Sequence, residues 1–99
     1  MNTDLCVGIA STIESLEIAA LEAGKAAVVM KFPATNVGIE GLKKFLSSYH
    51  IPVRMAVAGV AALSLALTIG NELARETYIV SSSMPSQAVA LAHFAEHAA

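Results

Sequence analysis

Residues 5–32 read LCVGIASTIESLEIAALEAGKAAVVMKF, and the secondary structure of this stretch decides the fold. Leu5 to Ile9 is a short apolar run behind the polar trio Asn2-Thr3-Asp4, the pattern of a buried strand. Leu16, Ile18 and Ala20 then alternate with Ser15, Glu17 and Ala19, which predicts a half-buried strand. Glu22-Ala23-Gly24-Lys25 carries turn chemistry, with Gly24 able to adopt positive φ. Ala26 to Phe32, β-branched at its centre, predicts a third strand. The three form an antiparallel meander. A sheet with a helix between its first two strands needs that helix within the first 35 residues. Gly24 and the pair Val28-Val29 argue against one.

Outward from the meander, Pro33 breaks the third strand, and Thr35 or Asn36 is placed to cap a helix. Val37, Ile39, Leu42, Phe45 and Leu46 recur at helical spacing, with Glu40, Lys43, Lys44 and Ser47 opposite. The helix ends near Tyr49-His50. Ile51 to Val57 is a strand entered through a proline, and Val60 to Leu73 is a nearly uncharged helix. Thr77 to Val80 predicts a short buried strand. Ser81-Ser82-Ser83 is a loop, with Ser83 and Pro85 opening a last helix whose apolar side is Val89, Leu91, Ala92, Phe94 and Ala95. The order is β-β-β-α-β-α-β-α. Right-handed crossovers and adjacency of consecutive elements turn it into an α/β fold with a five-stranded mixed sheet, order 3-2-1-4-5. That is the ribonuclease H-like arrangement, in one domain over residues 1–99.

Composition agrees with a packed domain. Of 99 residues, 56% are hydrophobic and 14% charged, which excludes a disordered chain and a coiled coil. The longest apolar run, Met55 to Gly70, is shorter than the ~20 residues of a membrane-spanning helix and contains Ser64 and Thr68. Asp4 near the start, with no Lys or Arg before Lys25, does not fit a signal peptide. Cys6 is the single cysteine, which leaves no internal disulfide and fits a cytoplasmic location. Six basic residues face eight acidic ones, a poor balance for tight nucleic-acid binding.

Four segments carry a resemblance. Val7-Gly8-Ile9-Ala10-Ser11-Thr12 resembles the V-G-I-D-V-S opening of the DEDD transposases, the insertion-sequence one-ten class. These are relatives in fold of the RuvC-type junction resolvases and the Piv-type invertases. Phe32 to Leu42 resembles F-x-N-T-x-x-G-x-x-x-L, Met55 to Val60 resembles M-E-A-T-G-V-Y, and Val80 to Phe94 resembles V-V-N-P-x-x-x-x-x-F. Together they span about the whole chain, in the family's order. The resemblance implies a two-metal nuclease ancestor whose first-strand aspartate falls on Ala10 and whose fourth-strand glutamate falls on Ala56. Magnesium is held by carboxylate oxygens, which alanine lacks. The family's last two aspartates fall later than residue 99. Ala58 and Ala61 also replace the family's threonine and tyrosine, a mark of broad drift. The resemblance therefore implies a degenerate, truncated transposase domain that cuts no DNA.

The remaining constellations read as ordinary structure. Glu14 and Glu17 read as solvated side chains, and His93 and His97, with Glu96 between them, as exposed histidines near a helix end that lack a third metal ligand. Ser81 to Ser83 with Ser86 has no glycine-rich turn or partner histidine. Lys43, Lys44 and Arg54 are the weak candidates for a nucleic-acid surface. No cofactor or metal is expected. The expected activity is association: a homodimer, or a complex with a full-length transposase. Its candidate contacts are Val60, Leu63, Ala66 and Leu67 on the uncharged helix, Val89 and Phe94 on the last helix, or the edge of the fifth strand, with Ala66 expected to face outward. The competing readings are a residual nuclease or junction-binding module using Asp4, Glu14 or Glu17, and a folded remnant with no selected role.

Overall fold

The structure is a computed structural model and describes residues 4–22, 25–60, 62–80 and 87–97. Strands β1 (Leu5–Ser11), β2 (Ser15–Leu21) and β3 (Val28–Pro33) form the antiparallel meander. Helix α1 (Asn36–Ser47) leads to β4 (Val53–Gly59), which lies parallel to β1. Helix α2 (residues 62–73) leads to β5 (Glu76–Ile79), parallel to β4, and α3 (Ala88–His97) follows. The sheet order is β3-β2-β1-β4-β5, as expected. The predicted turn at Gly24, and the Ser83 cap and Pro85, lie outside the described residues.

The sheet carries helices on both faces, and strand alternation separates the two packing layers. Leu5, Val7, Ile9, Leu16, Ile18, Val53, Met55 and Val57 face α1 and α2, where Leu42, Leu46, Leu65 and Ile69 cover them. Cys6, Ala10, Ala19, Ala56 and Ala58 point the other way and meet Ala88, Leu91, Ala92 and Ala95 of α3. This second layer is thin because its side chains are small. At Gly8 it has no side chain at all: a Cβ there would collide with the Ala88 carbonyl oxygen and the Ala92 amide nitrogen. The β2 pattern is therefore buried on both faces, with Ala19 fully covered, rather than half-solvated.

Local chemistry sets the element ends. The Thr35 hydroxyl accepts a hydrogen bond from the Gly38 N–H at 3.2 Å and caps α1. Gly59 takes φ 103°, a conformation that L side chains resist, where the Ser11 carbonyl oxygen crowds the chain. The next N–H, from Val60, donates to that same oxygen at 3.0 Å. The end of β4 is thus tied to the end of β1 before the chain turns into α2.

Several expectations need correction. Val37 is 79% exposed, because the inward stripe of α1 runs through Gly38, Leu42 and Leu46, about 100° around the helix from it. Helix α2 is not one uniform α-helix. It is α-helical over Ala62–Leu65, a π-helix over Ala66–Gly70 and α-helical again over Asn71–Leu73. Ala66 faces inward at 7% exposure, so it does not belong to the outer surface. Strand β5 is an edge rather than a buried strand, and Ile79 is 49% exposed. The other edge, β3, exposes Val28, Val29 and Met30. On α3, Phe94 stands half-exposed and the covered residues are Ala88, Leu91, Ala92 and Ala95.

Two substitutions test this account. Gly8→Ala is expected to destabilise the fold by about 2 kcal/mol or more, since backbone must shift on one side of the contact. Thr35→Ala is expected to cost about 1 kcal/mol through the lost cap. Urea denaturation measures both, and an unchanged midpoint for Gly8→Ala contradicts the close approach of α3.

Candidate functional site

Ala10 and Ala56 lie on neighbouring parallel strands and on the same face of the sheet. The register pairs Ala10 with Ala58 and Ala56 with Gly8, so the two positions are offset by two residues along the strands. The strands thus bring Ala10 and Ala56 onto one face of the sheet. What surrounds them is a packing layer. Ala56 is fully buried with Cys6, Ala58, Leu91 and Ala95, and Ala10 is half-buried beside Leu21.

Among the described residues, one carboxylate stands beside Ala10. Glu17 of β2 stands opposite Ala10 of β1 and Lys31 of β3. Its Oε1 accepts a hydrogen bond from the Ala88 N–H at 3.3 Å, so it is half-buried and caps α3 rather than being solvated. An acid reading N–H groups of a helix 71 residues away in sequence leaves no local signal, which is why alternation alone misplaced it. Glu14 is exposed on the β1–β2 loop. Asp4 precedes β1, about 20 Å from Ala10 at 3.3 Å per extended residue. Asp4, Glu14 and Glu17 therefore do not converge. Among the described residues no group of three or more His, Cys, Asp or Glu is arranged to hold a metal ion.

The weak nucleic-acid candidates separate as well. Lys43 and Lys44 are on α1, and Lys43 reaches Glu72 of α2 at 3.4 Å and Glu40 at 3.9 Å. Arg54 alternates with Val53 and Met55 and so points to the α3 face of the sheet. The three cations do not share a surface. Arg54 belongs instead to an ionic cluster at the amino ends of β1, β4 and β5. Its Nε lies 3.1 Å from Asp4 Oδ2 and 3.6 Å from Glu76 Oε2. Arg75 Nη1 approaches Asp4 Oδ1 at 3.7 Å. The Tyr78 hydroxyl donates to Glu76 Oε2 at 2.6 Å, and the Tyr78 ring meets Phe94 of α3 edge-on. A charged residue inside the apolar run Val53 to Val57 was the sequence signal for this cluster.

The hydroxyl of Tyr78, then the guanidinium groups of Arg54 and Arg75, hold the Glu76 carboxyl below its ordinary value, against an opposing push from desolvation. The same hydrogen bond, with desolvation, raises the Tyr78 phenol. The candidate contact residues fall on two sides of the sheet. Val60, Leu63 and Leu67 are 52%, 61% and 58% exposed on the α2 side, while half-buried Val89 and half-exposed Phe94 belong to α3. No described helix is long and apolar enough to cross a membrane. No protein-family model matches the chain, and no curated protein matches its sequence.

Ala56→Glu is expected to destabilise by about 3 kcal/mol or more, because it buries a carboxylate beneath Leu91 and Ala95. Ala10→Asp, half-buried, is expected to cost about 1 kcal/mol. Denaturation curves rank the two, and equal costs contradict the geometry. The ionic cluster gives a pH signature. Glu76 is depressed when folded, so its stabilisation is present above 4.5 and lost as pH falls through the folded value. Tyr78 is raised when folded, so its share is present below 10.0 and lost as pH rises through the folded value. Tyr78→Phe is expected to flatten both limbs of a plot of melting temperature against pH.

Proposed function

We propose that the chain is a non-catalytic, ribonuclease H-like domain related to the N-terminal part of the DEDD transposases, and that it acts in the cytoplasm by association. Its partner is a second copy of the chain or a full-length transposase. The reading rests on the alanine floor. The two positions that resemble the family's metal-binding acids are methyl groups packed against α3. A two-ion site needs several carboxylates close together, and among the described residues Glu17 is the one acid beside these alanines.

Association is supported by the outer side of α2. Leu63 and Leu67 are exposed along it, just after exposed Val60, with Ser64, Thr68 and Asn71 as neighbouring polar residues, and the chain carries no charge from Met55 to Asn71. An uncharged seam of this kind costs little to desolvate, and its apolar area gains about 25 cal/mol per Å² on burial. Helix pairing across a two-fold axis covers both copies with the same residues.

Sedimentation tests the reading. The wild type is expected to exceed 10.2 kDa at high concentration, and Leu67→Glu to return it to that mass. A wild type that stays monomeric refutes self-association. Titration calorimetry with magnesium is expected to show no binding, and a four-way junction to bind no better than the ~10⁻⁴–10⁻⁶ M of generic DNA contact. A stoichiometric magnesium site or a nanomolar junction complex would transfer the chain to the nuclease reading.

A further inference from the structure

Helix α3 presents His93 and His97 one turn apart on the side away from the sheet, with side chains 53% and 78% exposed. Glu96 stands between them. Its Oε1 lies 3.6 Å from His93 Nδ1 and 3.4 Å from His97 Nε2. With Ala90 and Phe94 the two imidazoles line an open depression of about 380 Å³. The spacing His93-x-x-Glu96-His97 on a helix is one with which two imidazoles grip a transition ion.

The nitrogens that face Glu96 leave the other nitrogen of each ring as a donor to an ion. Glu96 then sits where an acid beside a metal-bound imidazole fixes the orientation of the ring. Zinc and its neighbours prefer imidazole nitrogen and close a shell of four ligands. One chain offers two at this face, and among the described residues no further His, Cys, Asp or Glu completes the set. A two-fold axis through the depression supplies the missing pair from an identical helix. The half-exposed Phe94 rings and the Ala90 methyls then become covered beside the ion. The third histidine, His50, follows α1 and lies apart from this helix in the chain.

We propose that this face of α3 is a zinc-class metal site shared by two copies of the chain, four imidazoles from two helices around one ion. It rests on the association reading only in taking a second copy as partner, since α2 lies on the other side of the sheet.

The test is sedimentation of chelator-treated protein at about pH 7.5 with zinc chloride, in the wild type and in the Leu67→Glu background, where α2 no longer contributes. The expected result is a zinc-dependent doubling of mass in the Leu67→Glu background and a zinc-dependent rise in mass in the wild type, with one ion per two chains in each. His93→Ala and His97→Ala each abolish the doubling, and His50→Ala keeps it. Magnesium chloride does not produce it. The site is overturned by unchanged mass in zinc, by one ion per chain without doubling, or by doubling that survives loss of both histidines. A metal-free dimer that Leu67→Glu dissolves, with no zinc effect, sinks this site and leaves the association reading standing.

Discussion

The backbone of α3 rests directly on the backbone of β1 at Gly8, and most of the architecture follows from that contact. A helix this close to a sheet needs a floor without bulk. Cys6, Ala10, Ala19, Ala56 and Ala58 supply it, and Ala88, Ala92 and Ala95 answer from the helix. Small side chains bury little area each, so the layer depends on fit more than on hydrophobic mass. The thicker layer on the other face, built from leucine, isoleucine and valine around Met55, carries the larger share of apolar burial.

The same contact bears on chemistry. A carboxylate placed on this floor would be held in a methyl-lined, water-poor space, where an isolated charge is costly. The one acid that does reach it, Glu17, is aimed at the first N–H of α3, where the helix dipole favours negative charge. Charge elsewhere on this face is confined to the amino ends of the parallel strands. There Asp4, Arg54, Glu76 and Arg75 balance one another, and Tyr78 links them to α3 through Phe94.

Strand order and element sequence were legible because they depend on periodicity and on connection rules. The meander over residues 5–32, the Thr35 cap and the crossovers needed no knowledge of tertiary contacts. The facing of Val37, Ala66 and Glu17 did need it. Val37 misled because helical spacing fits more than one stripe, and Gly38 rather than Val37 turned out to face inward. Ala66 misled because in a helix this apolar the pattern does not mark one face; Ala66 lies inward with Ala62, Leu65 and Ile69. Arg54 was visible as an oddity in an apolar strand, but its partners come from two other strands. That Ala10 and Ala56 share one face of neighbouring strands depends only on strand order and register.

The π-helical turn in α2 also means that this helix holds more chain than its length requires. A π turn takes up about one residue beyond the 3.6 of an α-helical turn. The surplus lies between two points that are fixed in space. Upstream, Gly59 and Val60 are tied to Ser11; downstream, Gly70 closes on Thr77 and Glu72 reaches Lys43. Helix α2 can therefore lose one residue from Ala66–Gly70 and relax to a plain α-helix that still spans the gap. Its end would keep the register of Glu72 toward α1. A gain of one residue has no such slack to use, so the segment tolerates shortening better than lengthening.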